Sequence, residues 1–100
     1  MNESKLIALH EKLFKLKLED NSGFLLPIME ELVFRISVLP IGAGEFQKFS
    51  ILKECILSAN EQSENFDTEL REYFLEFFYT AASAVDLDGK RFADTWRGDW

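Results

Sequence analysis

The chain has 100 residues, 47% apolar and 29% charged, with a formal charge of −7; that length supports one hydrophobic core with little room for a second. Its 14% aromatic content, ten of those residues Phe, argues against disorder. No apolar run approaches the roughly 20 residues needed to cross a bilayer. The opening MNESKLIALHEK carries acids and Lys12 through what would be a leader's apolar region, so no export signal is read and a cytoplasmic protein is expected. The lone Cys55 excludes an internal disulfide.

Helical periodicity runs through the whole chain. Leu6, Leu9, Leu13 and Leu16 form the stripe of a first helix, with Ser4 as its expected N-cap and Asp20-Asn21-Ser22-Gly23 as its stop. A second helix is expected from near Leu26, with Pro27 in the first turn, where a missing N–H does no harm. Met29, Leu32, Val33 and Ile36 are its buried stripe, and Pro40 ends it. The alternation in FRISV, 34–38, would also suit a strand, but no second strand exists to pair with it.

After the joint Ile41-Gly42-Ala43-Gly44, a third helix follows the stripe Phe46, Phe49, Leu52 or Lys53, and Ile56, to about Ala59, with Cys55 near it. Residues 60–65 are turn-like. Asp67 can cap a long fourth helix whose apolar face is Leu70, Phe74, Phe77, Phe78, Ala81 and Val85. The small run Ala81 to Ala84 would let a neighbouring helix come close. Asp86 to Gly89 breaks that helix, and a short fifth, roughly 90–97, seats Phe92 and Trp96 four residues apart. The expected fold is all-α: one helical domain over 1–100, a bundle of four helices plus a short C-terminal fifth.

Catalytic chemistry finds little support. His10 is the only imidazole and lacks an identifiable partner, so it reads as a residue at the edge of the buried face. Cys55 reads as a small core residue. One His and one Cys cannot build the usual zinc sets. Asp86-Leu87-Asp88-Gly89 would set Ala84 and Thr95 as the first and last ligands of a calcium loop, and both are wrong. Gly42-Ala43-Gly44 lacks the Lys and the strand of a phosphate loop, and Glu45 would repel a phosphate. Arg97-Gly98-Asp99 spells an adhesion tripeptide, but a cytoplasmic chain does not present it. No enzyme activity, cofactor or metal is expected.

Charge is unevenly placed. Residues 1–18 hold four Lys against two Glu, whereas 19–100 hold seven bases against sixteen acids, a balance that repels nucleic-acid backbones. The acids concentrate in 61–76, EQSENFDTELREYFLE, with six carboxylates against Arg71. Glu69, Glu72 and Glu76 share one helical face beside Tyr73. Such a face is either solvated surface or a surface for a basic partner. Two Trp in the last five positions are the second unusual feature, because chain ends normally fray. Trp96 is expected to dock beside Phe92; Trp100 either packs back or anchors an interface.

An acidic, all-helical chain with an acid-and-aromatic face and no active site resembles the small bacterial toxin-immunity proteins, of the bacteriocin and contact-dependent growth inhibition classes. The resemblance covers the chain in character and rests on no diagnostic motif. The helical nuclease-immunity family carries an adjacent Tyr-Tyr pair; here Tyr73 and Tyr79 stand apart, so its residue roles do not transfer. The resemblance implies a cytoplasmic protein that binds and neutralises a basic toxin, often a nuclease. Glu64, Asp67, Glu69, Glu72 and Glu76 would then steer the partner, and Tyr73, Trp96 and Trp100 would anchor it. The alternative is a non-catalytic adaptor or regulator that binds another protein, or itself, through apolar surface.

Overall fold

Burial follows the periodic stripes closely enough to explain each helix. The computed structural model describes residues 3–17, 23–40, 42–98 and 100. Helix α1 spans Glu3–Lys17, α2 Leu25–Ser37, α3 Glu45–Asn60, α4 Thr68–Ala84 and α5 Gly89–Trp96. A single 3-10 turn, Ser63–Asn65, lies between α3 and α4. The fold is all-α, four helices and a short fifth around one hydrophobic core.

Each helix contributes one apolar stripe. Leu9, Leu13 and Leu16 bury the inner face of α1, and Leu25, Met29, Leu32, Val33 and Ile36 that of α2. Phe74, Phe77 and Phe78 of α4 are fully buried and are the largest side chains at the centre. The segment 34–38 has no strand character, since α2 runs through Ser37.

The helices form a circuit in which the fifth is structural. Helix α1 packs between α4 and α2, α3 packs on α2, and α5 touches both α4 and α3. The side between α3 and α4 is therefore closed by α5. Asp67 starts α4 as expected, its Oδ1 accepting from the Leu70 N–H at 2.8 Å. After α4 the backbone turns at Asp86, φ 65°, and Asp88 caps α5 by accepting from the Lys90 N–H at 3.2 Å. At Gly89 a Cβ would lie 2.9 Å from the Ala82 Cβ and 3.3 Å from the Tyr79 Cα. Glycine at 89 and alanine at 82 are what let α5 start against α4.

Two expectations need correction. Ser4 is not a cap: α1 already includes Glu3. Phe46 is not on the buried stripe but 84% exposed. It sits in the first turn of α3, and the helix buries Ile51, Leu52, Cys55, Ile56 and Ala59 instead. Of the two residues competing for the next stripe position, Leu52 is buried and Lys53 exposed. The expected stop at 20–22 and the joint residue Ile41 lie outside the described residues.

Candidate functional site

The acidic region of 61–76 resolves into parts with different surroundings. Tyr73 and Glu76 turn toward α1. The Tyr73 hydroxyl donates to the Lys12 carbonyl at 2.6 Å, the Lys12 ammonium stands 5.2 Å from the Tyr73 ring centre, and the same ammonium pairs with the Glu76 carboxylate at 3.2 Å. Further along, the Lys5 ammonium hydrogen-bonds the Ser83 hydroxyl. Low numbers on α1 thus meet high numbers on α4, so the two helices run antiparallel. Their seam joins the basic N-terminal segment to the acidic helix.

Glu64, Glu69 and Glu72 are different. All three are exposed, and none makes an ion pair or hydrogen bond among the described residues. Asp67 is also exposed but spends one oxygen on its cap. Of the five expected steering acids, three are therefore unengaged, one caps a helix, and Glu76 is answered by Lys12.

The expected aromatic anchors all have partners within the chain. Trp96 stacks on Phe92 with ring centres 5.4 Å apart and meets Phe49 edge-on at 4.8 Å. Trp100 stacks on Phe66 at 4.4 Å and 8° and also contacts Phe74. Its indole N–H donates to Asn60 Oδ1 at 2.7 Å. That oxygen also accepts from the Gly98 N–H at 2.8 Å, while the Asn60 amide donates to the Trp96 carbonyl at 2.8 Å. One side chain at the end of α3 thus holds Trp96, Gly98 and Trp100. Sequence reasoning missed Asn60, because its partners lie 36 to 40 residues away and a lone Asn in a polar stretch looks like any turn residue.

A second acidic locus, also unforeseen, lies between α2 and α3. There a cleft of about 300 Å³ has Leu32, Ile51 and Cys55 as its floor. Glu31, Arg35, Glu54 and Glu61 form its rim. The Arg35 guanidinium pairs with the Glu54 carboxylate across the two helices. Glu31 and Glu61 are exposed and engage no partner among the described residues. A signal was available: Glu31 and Arg35 lie four apart on α2, and Glu61, which follows directly on the last residue of α3, stands seven positions after Glu54. That the two faces meet cannot be seen from either helix alone.

Cys55 itself is poorly suited to nucleophilic work. Burial drives its thiol far above the ordinary range, the Glu31 charge pushes it further, and Arg35 opposes both. The group is a neutral thiol at physiological pH, and the nucleophile is the thiolate. His10 is exposed on α1. No family model, curated protein or solved structure matches this chain. Among the described residues no helix is long and apolar enough to cross a membrane.

Proposed function

We propose that this chain is a non-catalytic binding protein for a basic protein partner, and that the partner is a toxin whose nucleic-acid path the bound carboxylates block. The observation that carries the reading is the set Glu64, in the 3-10 turn before α4, and Glu69 and Glu72 at the start of α4, all exposed and unengaged, in a chain of net charge −7. Carboxylates with no internal partner keep their full field for an approaching cation and accelerate its association. Tyr73, Trp96 and Trp100 make contacts within the fold and, in this reading, hold the acid-bearing surface in place while their half-buried faces stay open to the partner.

The test is capture by the tagged protein at low salt and again at about 0.5 M salt, where screening shrinks the range of charge interactions to a few ångströms. A Glu64→Gln, Glu69→Gln, Glu72→Gln variant is run in parallel. The reading expects a basic protein that degrades nucleic acid alone but not in the complex, retained poorly at high salt and poorly by the variant. Equal retention by the variant at both salts would remove the acidic-surface reading.

A second reading is favoured by one observation. Phe14, Phe34 and Phe46 are 66%, 65% and 84% exposed, which suits an adaptor or self-associating regulator that binds through apolar surface. It expects a complex indifferent to salt.

A further inference from the structure

We infer that the α2–α3 cleft is a binding site for a small organic cation, an ammonium group carried on a short apolar body. Shape, floor and charge each narrow the ligand. At about 300 Å³ the cleft lies at the lower end of small-molecule sites, roughly 300–1,000 Å³, so the body is about the size of one ring and a short stem. The floor of Leu32, Ile51 and Cys55 is apolar and buried. The body it takes is a hydrocarbon.

The rim selects the head group. Three carboxylates stand against one guanidinium, and the guanidinium is committed to Glu54. Glu31 and Glu61 therefore remain as uncompensated charges at the mouth, one from each wall. An anion is repelled, and a neutral ligand leaves both charges unanswered. A hard metal ion requires several oxygens converging on one point, and no three acidic, His or Cys side chains converge so among the described residues. A cation that places its apolar body on the floor and its charge between Glu31 and Glu61 satisfies both halves of the cleft. The inference stands apart from the toxin reading, which rests on other residues.

The test is a titration of the isotope-labelled protein, followed by amide chemical shifts, with phenethylammonium and its neutral counterpart 2-phenylethanol, which share one apolar body. The ammonium is expected to give saturable shifts centred on Leu32, Cys55 and Ser58, and to bind at least about tenfold more tightly than the alcohol, a gap of ~1.4 kcal/mol. In a Glu31→Gln, Glu61→Gln variant the two ligands become equal. Both substitutions replace exposed side chains without ion partners, so the fold is retained. A Glu3→Gln, Glu11→Gln variant, with the same change in net charge placed on α1, keeps the full gap. Equal binding of alcohol and ammonium to the unmodified protein, shifts centred away from the cleft, no saturation, or an equal loss in the α1 variant would each overturn the inference.

Discussion

The α1–α4 seam and the α2–α3 cleft are both acidic, yet the chain treats them in opposite ways. At the seam Glu76 faces Lys12, whose ammonium also covers the Tyr73 ring and whose carbonyl accepts the Tyr73 hydroxyl. Of the four lysines in the first 18 residues, Lys12 answers an acid of α4 there and Lys5 reaches Ser83, whereas Lys17 pairs with Glu30 of α2. At the cleft the single base, Arg35, answers Glu54 and leaves Glu31 and Glu61 open. Negative charge in sequence is therefore a poor guide to negative field in space. What matters is whether another helix delivers a base to it.

The comparison can be strained first at the seam's aromatic centre. Tyr73→Ala removes a half-buried ring, a hydrogen bond and the surface beneath Lys12, and should cost about 2–3 kcal/mol of stability in denaturant unfolding. Tyr73→Phe isolates the hydroxyl and should cost about 1 kcal/mol. No loss in either variant would mean that the seam is held by apolar packing alone.

The cleft responds to pH through its floor. The folded Cys55 thiol titrates above the unfolded one, chiefly because of burial. Its contribution is then full below the unfolded pKa of about 8.5 and is lost as pH rises beyond it, at up to ~1.4 kcal/mol per pH unit. Unfolding measured between neutral pH and pH 10 should show this decline, and Cys55→Ala should flatten it relative to the unsubstituted chain. An unchanged slope would place the alkaline loss elsewhere.

The smallest expected effect is the ion pair itself. Glu76 is 69% exposed at its side chain, so a double-mutant cycle of Lys12→Gln and Glu76→Gln should give a coupling of about 0.5 kcal/mol, reduced by salt. A coupling several times larger would mean that the seam is far less solvated than its exposure indicates.

The legibility of the chain divides along the same line. Helices whose stripes repeat cleanly, such as Phe74, Phe77, Phe78 and Ala81 on α4, are readable because one buried face leaves a 3.6-residue period. The Asp67 cap is readable because its partner is three residues away. Phe46 misled because an aromatic in phase with a stripe is indistinguishable from a core residue until the end of the helix is placed in space. Its first turn projects beyond the packed helices, at 84% exposure. The Asn60 clamp and the α2–α3 cleft were hidden because both depend on which helices become neighbours. The acidic run at 61–76 was visible, but its division into an answered Glu76 and unengaged Glu64, Glu69 and Glu72 depended on the antiparallel docking of α1.

The most direct test of the contrast is to map the field with paired paramagnetic probes, one cationic and one anionic nitroxide of the same size, and compare the amide relaxation each causes. The account predicts a cation-to-anion ratio clearly higher at Glu31, Cys55, Ser58 and Glu61 than at Lys5, Leu9 and Lys12 on the α1 side of the seam, away from the unengaged Glu69 and Glu72, with the difference shrinking as salt is raised. A ratio at Lys12 equal to or above that at Glu61 would show that the Lys12 ammonium does not neutralise the seam, and would contradict the account.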